Sequence, residues 1–430
     1  MKSYQEMSRE ELLVCKAELE AAYKEIQDRD LSLNMARGKP SSEQLDTGVG
    51  LLDALTGKDD LFSEEGTDCR NYGVLDGIIE AKRLMADVMD VKDPENVIVY
   101  GNASLPIMYD TVSRSYTHGV AGCTPWCKLD QVKWLCPAPG YDRHFAITEH
   151  FGIEMITVPM LPTGPDMDIV EDLVSKDPSI KGIWCVPKYS NPQGITYSDE
   201  TVRRFANLKP AAKDFRIYWD NAYVIHDLYE DEKDTLLDII SECEKAGNPD
   251  LVFEFASLSK VSLAGAGIAA LACSKANREE VLRTMTIQTI GYDKLNMLRH
   301  VRYFKNIDGV KAHMREHASV LRPKFEALIR LFDAELSGRG AGSWIAPKGG
   351  YFITYEAPEG CAKAIVKLCK EAGIVLTKAG APFPYGKDPH DSVIRVAPSF
   401  PSAEELAVAG EVFVVCVKLA TVKKLLGEAV

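Results

Sequence analysis

Six short, apolar, β-prone runs punctuate the middle of this chain: NVIVYG at 96–101, VKWLCP at 132–137, EMITVPM at 154–160, GIWCVP at 182–187, RIYWD at 216–220 and LVFEFAS at 251–257. Helical stretches or long connections separate most of them. That alternation predicts an α/β fold, a mainly parallel sheet covered by helices on both faces. Ahead of the series, apolar positions at helical spacing among many Glu and Lys predict one amphipathic helix from about Glu10 to Arg29. A short extended piece follows, broken into an irregular turn by Gly38 and Pro40, and a helix is expected from about Gly77 to Met89. Near Asn306 the pattern changes. A long charged helix (about Val310–Leu336), paired strands about Gly349–Gly350, a helix through Cys361–Ala372, the strands IVLT and VIRVAP and a final helix from about Ala403 predict a smaller α+β unit.

A chain of 430 residues is long enough for two domains sharing a substantial core. Its net charge of −13 argues against nucleic acid or an anionic membrane as the main partner. The start, MKSYQEMSREELLVCKAELE, lacks the apolar core of a signal peptide, and no run of about 18 apolar residues occurs to span a membrane. The 11 cysteines are scattered, and the pair Cys123 and Cys127 has no second pair at zinc-like spacing. Free thiols, a cytoplasmic location and no metal are the expectation.

The polar residues that end these apolar runs carry the chemistry. In LVFEFASLSK, Ser257 and Ser259 lead from a strand directly to Lys260, and a second run of small and apolar residues, Gly265 to Leu271, follows. A lysine at the mouth of two buried strands is partly desolvated, which favours its free amine and suits it to a Schiff base with a carbonyl cofactor. The plain alternative is a solvated loop lysine. Ligands of parallel α/β sheets gather at the carboxyl ends of strands. Asn102, Ala103 and Ser104 stand at such an end and open a helix, where backbone N–H groups make an anion site or merely an N-terminal cap. Asp220 closes RIYWD with Tyr223 three residues on; a carboxylate ending so apolar a strand requires a cationic partner, a protonated pyridine nitrogen or a nearby Lys or Arg. Arg395, inside VIRVAP, likewise requires an anion, either a ligand or an internal salt bridge. Tyr141 in CPAPGYDRHF offers a flat face, and Asn191 in YSNPQG sits in a turn shaped by Pro192 and Gly194.

In this order GNAS, NPQG, the D-x-x-Y of Asp220 and Tyr223, SLSK and VIRVAP resemble the fold-type I, pyridoxal-phosphate-dependent aminotransferases, from about Leu31 to the C-terminus. The segments LNMARGKPSSEQLD and RNYGVLDGIIEAK look closest to the bacterial aspartate aminotransferases called type Ic. The resemblance implies a seven-stranded-type, mainly parallel sheet in a large cofactor-binding domain at 49–305, a small α+β domain at 306–430, and an N-terminal helix and segment at 1–48 that joins the small domain. It implies pyridoxal 5′-phosphate, with Lys260 as Schiff-base lysine and proton shuttle and Asp220 facing the pyridine nitrogen. Asn191 and Tyr223 would then donate to the ring oxygen and Tyr141 would stack on the ring. Asn102, Ala103, Ser104 and Ser257 would lie about the phosphate, which Tyr72 would reach from the neighbouring subunit of a homodimer with shared sites. Arg395 would grip the substrate α-carboxylate, with Arg37, Gly38 and Asn191 completing the substrate site and Arg37 meeting the side-chain carboxylate of aspartate or glutamate. One position departs from the family: the Arg or Lys expected eight residues after the lysine is Ile268, so another cation must meet the phosphate, with Lys188, Lys294 and Arg299 as candidates.

The implied reaction passes an amino group from an amino acid, L-aspartate foremost, to a 2-oxo acid such as 2-oxoglutarate by a ping-pong route. The same pocket would serve an aminotransferase for aromatic or other amino acids, or a lyase. A non-catalytic ligand sensor is a different class; it would require a DNA-binding segment, for which the roughly 30 residues before LNMARG offer no room.

Overall fold

The computed structural model describes residues 2–428; Met1 and residues 429–430, at the outer ends of the expected segments 1–48 and 306–430, lie outside it. Thirteen strands follow in chain order: β1 (Leu33–Asn34), β2 (Val97–Tyr100), β3 (Lys133–Ala138), β4 (Glu154–Leu161), β5 (Gly164–Pro165), β6 (Ile180–Cys185), β7 (Arg216–Asp220), β8 (Val252–Ser257), β9 (Ala269–Cys273), β10 (Ser343–Trp344), β11 (Ile353–Glu356), β12 (Ile374–Val375) and β13 (Val393–Val396). The large sheet runs β2-β9-β8-β7-β6-β3-β4-β5. Its centre, β8 through β4, is parallel, while β9 lies antiparallel between β2 and β8. Seven of these strands form the expected sheet, and the two-residue β5 folds back on the end of β4 as an eighth.

Alternation along single strands shows that both faces are covered. In β7, Ile217 and Trp219 enter one core cluster and Tyr218 enters another on the opposite face. Phe253 and Phe255 of β8 share the face of Tyr218. Asp220 and Ser257, two residues further along their strands, follow the same parity. The polar residues that end β7 and β8, Asp220 and Ser257, thus lie on the side of the helices that follow β2 and β3, Ser104–His118 and Asp142–His150.

The second core belongs to the C-terminal part. Its antiparallel sheet runs β10-β11-β13, and β12 pairs in parallel with β1 from the N-terminal segment. That segment is tied further by Met35 N–H to Val375 O at 2.9 Å and by Ala397 N–H to Met35 O at 3.0 Å. The N-terminal helix, Arg9–Gln27, packs on the last helix, Ala403–Leu425. One helix of 29 residues, Ile307–Glu335, carries both cores: Val310 and Met314 join the large one, Leu321 to Phe332 the small one. The strands expected about Gly349–Gly350 pair as β10 and β11, but those glycines do not form a tight hairpin tip. The connection reaches across instead, with Gly349 bridging to Asp227 and Gly350 N–H donating to His226 O at 2.9 Å. Among the described residues no helix is long and apolar enough to cross a membrane.

Candidate active site

A cavity of about 560 Å³ opens where the carboxyl ends of β7 and β8 face β13 and the 36–39 segment. Lys260 stands in its wall. The loop that presents it is held at several points: Leu258 N–H to Ile268 O at 2.8 Å, Ser262 N–H to Leu258 O at 2.9 Å, and the Ser259 hydroxyl to the Asn102 carbonyl. Gly267 makes this closure possible, because a Cβ there would lie 2.9 Å from Ser259 N and 3.0 Å from Asn102 O. Burial pushes the Lys260 amine below its usual range, with the Asp220 carboxylate pulling in the opposite direction. Its Nζ lies 5.0 Å from the centre of the Tyr223 ring and 6.0 Å from that of Tyr351.

Asp220 is buried in the same wall. Its Oδ2 meets His144 Nε2 at 2.9 Å, and the imidazole is fixed by stacking on Trp184 with centroids 4.5 Å apart. Its Oδ1 is buried with no hydrogen-bond partner among the described residues. An orphaned carboxylate oxygen this buried is costly unless a ligand N–H meets it. Tyr141 caps the helix that carries His144 and meets that ring edge-on at 4.9 Å; burial and the neighbouring Asp220 push its hydroxyl up to about 12. Burial also raises the Tyr223 hydroxyl well above its usual value. Across the cavity Ser104 begins its helix, and Ala103 supplies no side-chain cap, so the first N–H groups are left for another acceptor. Ser257 and Ser259 line the wall beside them.

Arg395 enters from β13. Its Nη1 donates to Asp142 Oδ1 at 2.8 Å and to Asn191 Oδ1 at 3.2 Å, its Nε to Thr377 Oγ1 at 3.3 Å, and its guanidinium lies over the Phe352 ring at 4.9 Å. Arg37 and Gly38 line the entrance. The Arg37 side chain is exposed and has no ion-pair partner among the described residues. Gly38 packs so closely on Phe352 that a Cβ would enter the ring.

Arg37, Gly38, Ala103, Ser104, Tyr141, Asn191, Asp220, Tyr223, Ser257, Lys260 and Arg395 therefore share one cavity. Two expected residues stand apart. The Asn102 side chain turns out to bond Ala264 O at 3.3 Å, leaving only its carbonyl in the loop closure, and Tyr72 is 82% exposed and outside the cavity of its own chain. All three proposed replacements for the cation missing at Ile268 are also absent from the cavity lining. Lys188 is taken by Asp227 and Val224 O, Lys294 by Gly73 O, and Arg299 by Asn296. Ile268 itself is buried in the core behind the loop. The sequence reading missed His144, although its place three residues after Tyr141 at a helix start put it on the same side. It also missed Asp142, Thr377 and Phe352, for which no local pattern existed.

Residues 7–429 match the protein family described as aspartate amino-transferase. The chain is 45% identical to the aspartate aminotransferase of Corynebacterium glutamicum over 420 residues, covering 97% of this chain and 96% of that protein. A crystal structure of an aspartate transaminase from the same species superposes with a TM-score of 0.95 at 44% identity, over 98% of this chain and 99% of the other. The α-aminoadipate aminotransferase of Thermus thermophilus, solved with N-(5′-phosphopyridoxyl)-L-leucine, shares the fold at a TM-score of 0.72 and 20% identity, over 93% of this chain and 95% of that one.

Proposed function

The chain belongs to the aspartate aminotransferase family, and from that premise we propose that it moves the amino group of L-aspartate to a 2-oxo acid, 2-oxoglutarate foremost, in two alternating half-reactions with pyridoxal 5′-phosphate. The observation that carries the cofactor assignment is the unpartnered, buried Oδ1 of Asp220 in a cavity that also holds a desolvated lysine. A pyridine N–H suits that oxygen, and the free N–H groups before Ser104, with Ser257 and Ser259, suit a phosphate. Tyr141 offers a ring face, and Asn191 and Tyr223 offer polar atoms to a ring oxygen. When bound, pyridoxal phosphate supplies an electron-withdrawing ring that stabilises negative charge on the substrate Cα.

The chain's own residues do the rest. Asp220, oriented by His144, would hold a pyridine N–H at its free Oδ1. Lys260, its amine freed by burial, would be the base that takes the proton from the substrate Cα. Arg395 orients the α-carboxylate, and Arg37 at the entrance meets the side-chain carboxylate through its planar fork. Phe352, packed over Arg395, keeps water from the guanidinium.

The test is an absorbance scan of purified protein before and after adding L-aspartate, followed by adding 2-oxoglutarate. A visible cofactor band that bleaches with aspartate and returns with the oxo acid is expected. A band that aspartate leaves unchanged overturns the substrate assignment, and protein without bound chromophore after incubation with pyridoxal phosphate overturns the cofactor.

A further inference from the structure

Each edge of Arg395 on which a carboxylate could fork is already half occupied. A carboxylate docks on a guanidinium through two parallel N–H bonds, either on the Nη1–Nη2 edge or on the Nε–Nη2 edge. Both hydrogens of Nη1 are committed, one to Asp142 at 2.8 Å and one to Asn191 at 3.2 Å, and Nε is committed to Thr377 at 3.3 Å. A forked pair with substrate must therefore displace one of three partners. Asn191 and Thr377 carry no charge, so neither repels an incoming carboxylate as an anion would. Asp142 is the charged one. Its side chain is 33% exposed at the cavity wall, against 8% for Arg395.

We propose that Asp142 is a positioning residue that acts as the resident counter-anion of Arg395 and exchanges with the substrate carboxylate. This rests on the reading of Arg395 as the α-carboxylate's partner. A buried guanidinium without an anion is costly, so Asp142 keeps the charge compensated between turnovers. It is also the first residue of the helix Asp142–His150, where the helix N-terminus favours an anion, so its carboxylate keeps part of its stabilisation after release. The exchange trades one carboxylate for another on the same N–H groups. Binding is thereby weakened relative to an empty guanidinium, and products bearing the same carboxylate leave more readily.

The experiment measures dissociation constants of succinate and propionate by calorimetry on the pyridoxal-phosphate-loaded protein; neither can be turned over, since both lack an amino and an oxo group. Asp142→Asn and Asp142→Ser are both expected to bind both acids roughly ten-fold more tightly than wild type, and Asp142→Glu to restore wild-type binding. Two neutral variants guard against one that folds poorly. Unchanged or weaker binding in both neutral variants, alongside lost binding in Arg395→Gln, overturns the exchange and leaves the role of Arg395 standing. Succinate and propionate binding that survives Arg395→Gln overturns the reading of Arg395, and the exchange with it.

Discussion

Burial and a neighbouring carboxylate pull the Lys260 amine in opposite directions, and burial wins. A free amine at the edge of a strand is a base without further help, so Lys260→Ala should lower turnover by at least about 10²–10⁴-fold while leaving the circular dichroism spectrum unchanged. Steady-state transamination at the wild-type rate in that variant would remove Lys260 from the chemistry. Arg37 presents a different case: exposed and without an ion-pair partner among the described residues, it has little structural work to lose. Arg37→Ala is expected to reduce kcat/KM for aspartate by roughly 10- to 150-fold and to leave alanine or an aromatic amino acid nearly untouched. Equal losses on both substrate types would make it part of the scaffold. The need for partners was legible at this scale, in a carboxylate and a guanidinium embedded in apolar runs. Which partners was not. His144 answers Asp220 from 76 residues away and Asp142 answers Arg395 from 253 away, and no local rule connects those positions.

The strand LVFEFAS contains one residue that its pattern does not explain. Glu254 lies on the face opposite Phe253 and Phe255, buried, with Asn221 Nδ2 donating to it at 2.8 Å. Burial pushes its carboxyl up to about 8 from an ordinary 4.5. The folded chain then keeps a proton through a window in which the unfolded chain has released it. More protons on the folded state means that stability falls as pH rises from about 4.5 to about 8 and levels off above. Glu254→Gln keeps the shape and removes the titration, so in urea the variant should gain on wild type between pH 5 and pH 9 by a few kcal/mol. The same pH slope in both proteins would show that Glu254 is not the group responsible. Two glycines between apolar runs read locally as a hairpin turn, yet Gly349 is pressed against the Tyr189 ring and its strands pair several residues further out. Close approach by Tyr189 explains the missing side chain at Gly349, and a φ of 79° the one at Gly350.

Tyr72 (82% exposed), Ile287 (90%) and Ile290 (62%) stand out of the surface, and the Tyr72 loop is fastened beside Ile290 by Lys294 Nζ to Gly73 O at 2.9 Å. Large apolar groups held in place in water suit a partner surface. With the family resemblance this supports a proposed two-fold homodimer in which Tyr72 reaches the neighbouring cavity. Mixing inactive Lys260→Ala subunits with Tyr72→Phe subunits after mild denaturation should recover activity, up to one intact site per hybrid; a fully active monomer in sedimentation would refute the arrangement. The order of the main strands and helices, the presence of a long helix after Asn306 and the strand-end placement of Lys260 and Asp220 could be derived from the sequence alone; that this helix joins both cores could not. Hydrophobic period and strand ends are written within a few neighbouring residues, and the apolar runs leave few alternatives. The partner on each buried charge, the exclusion of Lys188, Lys294 and Arg299 from the cavity and the occupation of both fork edges of Arg395 were decided only by the tertiary structure. They depend on which strand lies beside which in β2-β9-β8-β7-β6-β3-β4-β5, and so on contacts between residues that share no stretch of chain.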